Sequence, residues 1–192
     1  MSLTPVFELG LWNAWIFMLL ILLPLPFVAL FRRGVFKKTA SIHASIVTGT
    51  EHKIHIFSEV MFFSLVIYSI FLPLQIGTIW FSIGLPIYLL GLILQTIAYV
   101  NVATSPVDEP VTKGLYRFSR HPMYVTLPLV VIGTGIASAS WLFLLLSVVV
   151  VITHLYNSIP EERECLEAYG NAYRQYMNRT PRWIGIPKSE QK

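Results

Sequence analysis

Charge is what this chain has least of. Only 12% of its 192 residues are Asp, Glu, Lys or Arg, while 55% are apolar; water-soluble domains carry about 25% and roughly 45–50% respectively. With a mean hydropathy of +0.64, that shortage excludes a soluble globular domain and points to an integral membrane protein. Cysteine is nearly absent too. Cys165 stands alone, so no internal disulfide can form and a disulfide scaffold is excluded. No basic residue precedes the first apolar stretch, which is also too long for a signal-peptide core, so a retained span is expected there. Neither an internal repeat nor a low-complexity tract divides the chain, and a single membrane domain over residues 1–192 is expected.

What the sequence has in abundance is apolar length. Five stretches stand out, at 11–31, 56–76, 79–100, 122–137 and 141–157. Three of them meet the ~20 residues that a helix needs to cross a bilayer. The fourth and fifth are shorter and are joined by Ser138-Ala139-Ser140, which predicts a short hairpin. The expected fold class is all-α, with five transmembrane helices. All 14 Lys and Arg fall in segments 32–55, 101–121 and 158–192. By the positive-inside rule this places the N-terminus outside and the C-terminus in the cytoplasm. It also accounts for the net charge of +4 without nucleic acid as a partner. Leu166, Tyr169, Tyr173 and Tyr176 follow 3-4-3 spacing, which predicts a cytoplasmic amphipathic helix ending before Pro181.

Pro24 and Pro26 predict kinks in the first helix, and Gly84, Pro86 and Gly91 predict close helix approach in the third. Segment 101–119 has no helical period and carries Pro106, Pro110 and Gly114, so a turn-rich loop is expected. Gly133-Thr134-Gly135 lies inside an apolar helix with no strand before it, so it is no dinucleotide fingerprint. His52 and His55, flanked by Glu51 and Glu59, lack a third ligand cluster; they mark a polar helix start and no metal site is expected. His154, one turn before Asn157, fits a hydrogen-bonded bundle residue, although an ionisable group inside a membrane helix keeps functional interest.

Two junctions concentrate the functional groups. One is Gly114-Leu115-Tyr116-Arg117-Phe118-Ser119-Arg120-His121-Pro122-Met123-Tyr124, before the fourth stretch; the other is Ser158-Ile159-Pro160-Glu161-Glu162, after the fifth. A structural account exists for each. Arg120 suits a snorkelling anchor, Pro122 a first-turn residue and Tyr124 an interfacial aromatic. Ser158 to Glu161 fits a capping box, with Glu162 complementing the helix dipole. That account leaves unexplained why both junctions bound the predicted hairpin and so share one membrane face. A helix start with Pro122 also points free N–H groups outward, and beside Arg120 and His121 it makes a receiver for a carboxylate or phosphate.

Gly114-Leu115-Tyr116, Arg120-His121-Pro122-x-Tyr124, Glu161-Glu162, Leu166-x-x-Tyr169-Gly170-x-x-Tyr173 and Pro181-Arg182 resemble the C-terminal signature of the isoprenylcysteine carboxyl methyltransferase family, part of a wider phospholipid methyltransferase group. The resemblance covers about 101–183. It implies a membrane methyltransferase that uses S-adenosylmethionine. The cofactor would lie among Asn101, Asp108, Glu109, Pro110, Val111, Tyr116, His121, Pro122, Met123, Tyr124 and Glu161. Helices within 1–100 would form the side for a lipid-like acceptor arriving from the bilayer, with the carboxylate of a prenylated cysteine as the first expectation. Where the family places a substrate-gripping Arg, four residues before the cofactor Glu, this chain has Asn157. An Asn brings neither charge nor a bidentate fork. Either Arg120 supplies the charge, or the acceptor differs. A phospholipid amine would need a base, giving Glu162 or His121 that role. Arg120, Asn157 and Glu162 are therefore the candidate catalytic residues.

The chemistry suits the location. A carboxylate meeting a sulfonium methyl cancels two charges on the way to the transition state, which a partly dry site favours over water. Two rival readings remain at this level. Membrane sterol reductases resemble the pattern around Arg-His-Pro-x-Tyr and bind NADPH there. A non-enzymatic transporter or scaffold would need polar groups deep in the membrane, where the sequence offers Gln95, Thr96 and Glu59.

Overall fold

The computed structural model describes residues 7–24, 26, 49–106 and 108–187. Among them all regular structure is helical: α1 (Trp15–Leu22), α2 (Gly49–Ile70), α3 (Ile79–Ala103), α4 (Pro122–Ala137), α5 (Trp141–Tyr169) and α6 (Asn171–Arg179), with a 3-10 turn at Gly114–Arg117. Helices α2, α3 and α5 are long and apolar enough to cross a membrane, while α4 is apolar but shorter. Phe57, Phe63 and Ile67 on α2, Ile93 on α3 and Leu145 and Ile152 on α5 are exposed, whereas Ser58, Ser69, Gln95, Thr126, Thr134 and Ser147 are buried. Apolar outside and hydroxyl inside is the arrangement that lipid demands, because an unpaired polar group in hydrocarbon costs several kcal/mol. Some of the buried hydroxyls return to their own helices: Thr134 donates to the Val130 carbonyl and Ser147 to that of Phe143, each at 2.7 Å.

The helices are held in order by contacts at two levels. Helix α4 lies closest to α3, with glycine at the crossing. A Cβ on Gly84 would come within 2.3 Å of the Ala137 nitrogen, and one on Gly133 within 2.5 Å of the Tyr88 nitrogen. The close approach expected at Gly84 is thus present, and Gly133 serves packing. Helix α1 is fixed by Phe17, which stacks on Tyr88 with ring centroids 3.9 Å apart, while the Tyr88 hydroxyl donates to the Phe17 carbonyl at 2.9 Å. The turns at 71–78 and 138–140 share one end of the bundle, where the Gln75 N–H bonds the Ala137 carbonyl. The start of α2 and the polar end of α5 share the other, joined by an Arg163–Glu51 ion pair.

Three expectations are corrected or narrowed. Of the predicted first span, 11–31, the described residues show α1 from Trp15 to Leu22. Residues 11–14 form a turn, because the Asn13 amide bonds the Glu8 and Ile70 carbonyls and the Ala14 N–H bonds that of Leu72. Residues 25 and 27–48, with the basic Arg32, Arg33, Lys37 and Lys38, lie outside the described residues, as do Lys188 and Lys192. Five spans reduce to three long helices and one shorter apolar helix within the described chain.

The second correction concerns the end of the last span. Helix α5 does not stop near Asn157 but runs through Pro160 to Tyr169, so Glu161 belongs to no capping box. Proline removes a single backbone donor, and the surrounding turns carry the helix past it. The apolar, membrane-crossing part of α5 gives out by Ser158, leaving Glu161 and Glu162 on a polar extension. Third, the tail helix is divided. Leu166 and Tyr169 end α5, Gly170 breaks the chain at φ +53°, and Tyr173 and Tyr176 are buried from α6. The 3-10 turn was not foreseen, since four residues are too few for a period to show.

Candidate functional site

The site begins where α3 ends. Asn101, in the last turn of α3, accepts the Leu115 N–H on its Oδ1 at 3.0 Å. Gly114 sits at φ +60°, and a Cβ there would stand 2.1 Å from that same oxygen. Only glycine satisfies both the backbone and the space. The Lys113 ammonium donates to the Thr104 carbonyl at 2.7 Å, and the Tyr176 hydroxyl donates to that of Tyr116 at 2.6 Å. The 3-10 turn is therefore pinned to α3 on one side and α6 on the other.

From the turn, the chain enters α4 alongside the C-terminal segment. The Arg120 N–H bonds the Pro181 carbonyl and the Gly185 N–H bonds that of Phe118, both at 3.0 Å. Ser119 is buried between them: its hydroxyl oxygen accepts the His121 N–H at 3.1 Å and donates to the Arg182 carbonyl at 3.2 Å. These bonds deliver Arg120, His121 and Arg182 to the polar extension of α5.

There Glu162 is the hub. Arg182 grips it as a fork, Nε to Oε1 at 3.0 Å and Nη2 to Oε2 at 2.6 Å. Arg120 Nη1 and His121 Nε2 each lie 3.1 Å from Oε1. The other ring nitrogen of His121, Nδ1, lies 3.4 Å from Glu161 Oε2, so the imidazole bridges two carboxylates. Glu162 is enclosed, whereas the Glu161 side chain is 45% exposed. Burial opposes the imidazolium, yet the bonds to Glu161 and Glu162 raise the His121 pKa to about 9. Burial also works against the Glu162 carboxylate, but the bonds from His121 and Arg182 and the Arg120 charge bring its pKa down to about 2. One demand is unmet: Arg120 Nε is buried without a hydrogen-bond partner among the described residues, while Nη1 meets Glu162 Oε1 as an ion pair without hydrogen-bond geometry.

An aromatic path leads from this cluster into the bundle. His121 stacks on Tyr124 with centroids 5.6 Å apart and has Trp183 at 6.0 Å. Tyr124 meets His154 edge-on at 6.2 Å, and His154 Nδ1 lies 2.7 Å from the Ser58 hydroxyl of α2.

The structure thus brings together Arg120, His121, Tyr124, Glu161 and Glu162, with Pro122 and Met123 as the first turn of α4 and Asn157 buried one turn before Glu161. Asn101 and Tyr116 join through the 3-10 turn. Asp108 and Glu109 are exposed on the loop and Pro110 and Val111 half-buried; among the described residues no hydrogen bond or ion pair ties these four to Glu162. Sequence reasoning missed Ser119, Trp183 and the role of Arg182. The Pro181-Arg182 dipeptide was visible, but nothing along the chain linked it to a carboxylate twenty residues earlier.

A comparison with curated proteins gave no match. A family model described as phospholipid methyltransferase matches residues 76–172, about half of the chain, taking in α3, the 3-10 turn, α4 and α5. The chain accordingly belongs to the phospholipid methyltransferase family, membrane methyltransferases that include the isoprenylcysteine carboxyl methyltransferases.

Proposed function

We propose that this membrane methyltransferase binds S-adenosylmethionine at the His121–Glu161 junction and methylates the head of a membrane lipid. The observation that carries the reading is the buried Arg120 guanidinium, whose Nε has no partner among the described residues, beside a half-exposed Glu161. An amino acid moiety has the complementary groups: a carboxylate for Arg120 and an ammonium for Glu161. Tyr116 and Tyr124 would offer aromatic faces, with Asn101 and 108–111 completing the cofactor side. Glu162 is then a positioning residue, since it fixes Arg120, His121 and Arg182 in one place. When bound, the cofactor supplies a sulfonium methyl whose S–C bond pair stays on sulfur while an acceptor lone pair forms the new bond.

On the acceptor side the chain presents a carboxylate. Glu59 is within electrostatic reach of Tyr99, Tyr124 and His154. Asn157 is neutral, and Arg120 is already paired with Glu162. A cationic lipid amine suits that environment better than a carboxylate. The amine must shed one proton before its lone pair can attack. Glu162, held near 2, is a poor acceptor for it. His154 is better placed: a proton on Nδ1 would face the Ser58 oxygen at 2.7 Å and the Val150 carbonyl at 3.0 Å, leaving Nε2 basic. The carboxylate of a prenylated cysteine is the second reading, favoured by the unpartnered Arg120 Nε and requiring no base.

Labelled S-adenosylmethionine offered with phosphatidylethanolamine, a prenylcysteine and a fatty acid separates these readings. Label on the phosphatidylethanolamine is expected; label on the prenylcysteine alone overturns the amine assignment. Glu161→Ala and His121→Ala should each weaken S-adenosylmethionine binding by roughly tenfold or more, the worth of one charge-assisted hydrogen bond. Unchanged affinity in both folded variants overturns the site. Binding of NADPH with none of S-adenosylmethionine would instead support a reductase.

A further inference from the structure

Beside the Glu162 cluster lies a second polar space. A cavity of about 360 Å³ opens between the 3-10 turn and α6, lined by Thr112, Arg117, Gln175, Tyr176, Arg179 and Thr180, with Pro187 at its edge. Its lining has two guanidinium groups, several hydroxyls and an amide, and no carboxylate among the described residues. Arg117 is exposed and makes no ion pair among the described residues.

The chain next to two of the lining residues is apolar. Arg117 leads directly into Phe118, and Pro187 follows Ile184-Gly185-Ile186; the Gly185 N–H bond to the Phe118 carbonyl holds the two strips together. Phe118 is 52% exposed, Trp183 38%, Ile184 74% and Ile186 90%. They stand at the level of the α4 start, since Trp183 meets His121 there. An exposed aromatic and aliphatic strip at the end of a membrane span belongs in the interface, where Trp and its neighbours sit at headgroup depth. A donor-rich cavity beside that strip faces the layer in which phospholipid phosphates lie.

We infer that this cavity binds the phosphate of an anionic membrane phospholipid. Arg117 and Arg179 hold the phosphate oxygens, Thr112 and Gln175 add neutral donors, and Phe118, Ile184 and Ile186 lie against the acyl chains. A lipid seated there clamps the 112–117 segment to α6. Tyr176, which lines the cavity, also bonds the Tyr116 carbonyl, so the clamp supports the turn on which the neighbouring site is built. The inference does not depend on which reaction that site performs.

Thermal unfolding of the full-length protein in detergent tests it, with dioctanoyl-phosphatidylglycerol, dioctanoyl-phosphatidylcholine or inorganic phosphate added at matched ionic strength. The phosphatidylglycerol should raise the melting temperature saturably, while the zwitterionic lipid and inorganic phosphate leave it nearly unchanged. Arg117→Gln should raise the half-saturating concentration about tenfold, as expected for a lost charge-assisted hydrogen bond. Gln175→Glu, which places a carboxylate in the lining with both arginines intact, should do the same and decides the matter if Arg117→Gln does not fold. Equal stabilisation by the two lipids, or wild-type half-saturation in the folded variants, overturns the proposal. Inorganic phosphate matching phosphatidylglycerol at equal concentration overturns the lipid as source and assigns the cavity to a soluble anion.

Discussion

The body of α4 and its N-terminal edge are held by opposite means. Along its length, α4 meets α3 through glycines that let the backbones touch, with a single buried polar pair, the Thr126 hydroxyl and Gln95. At its start, three cationic side chains converge on the Glu162 carboxylate. The difference follows from the solvent. Between membrane helices there is no water to escape, so association comes from close contact and shape. At the border, water and headgroups lie near enough for charges to be assembled, and charge can select which distant segments meet. The contact between α3 and α4 builds the scaffold; the ion cluster gathers 118–121, 161–162 and 180–185 into one site.

That contrast can be broken at either end. The largest effect is expected from Glu162→Gln, which leaves buried Arg120 and partly exposed Arg182 without their counter-charge and His121 with Glu161 alone. Removing one partner of a buried ion pair costs about 3–5 kcal/mol, so chemical or thermal unfolding in detergent should show a large loss. A change under ~1 kcal/mol would mean that the cluster is well solvated. Titration gives the next effect. His121 has its pKa raised from 6.5 to about 9, so its stabilising contribution is complete below pH 6.5 and fades as pH rises through 9. Stability should fall across that window by no more than about 3.5 kcal/mol, at ~1.4 kcal/mol per unit, and His121→Gln should flatten the profile. Glu162 works in the opposite sense: lowered from 4.5 to about 2, its contribution is present above pH 4.5 and is lost as pH falls through 2.

The scaffold should be sensitive to volume and indifferent to charge. Gly133→Leu forces a side chain into the Tyr88 backbone, where a bare Cβ already stands at 2.5 Å. Overpacking of this kind costs about 1–3 kcal/mol, and the loss should be independent of pH between 6.5 and 9. A pH-dependent loss would show that the scaffold and the cluster are coupled. The smallest effect marks the baseline: Ile93→Ala, on the outward face of α3 at 57% exposure, should change stability by less than ~0.5 kcal/mol.

The expected bounds of α4, 122–137, match the helix found, because Pro122 and Ser138 punctuate the chain at both ends. The end of α5 was illegible for the converse reason: Ser158-Ile159-Pro160-Glu161 carries a helix-start signal, yet neighbouring packing carries the helix straight through it. In the site, the motif order identified Arg120, His121, Glu161 and Glu162 as belonging together, and the structure brings their side chains within ion-pair distance. It offered no way to divide labour between the adjacent glutamates. That division depends on helical phase: a 100° step turns Glu162 inward to three cations and leaves Glu161 half in the open.

The sequence by itself determined that this is a membrane protein of apolar helices with its polar groups concentrated at two junctions, because composition and stretch length are properties of the chain alone. Its motif spacing also pointed to the methyltransferase group that the family match established over 76–172. The tertiary structure decided that α5 extends past its apolar stretch, that Arg182 returns from the tail to grip Glu162, and that His121 bridges both carboxylates. These depend on pairs of residues 20 to 41 positions apart, and no local pattern encodes a contact that exists only after the helices have packed.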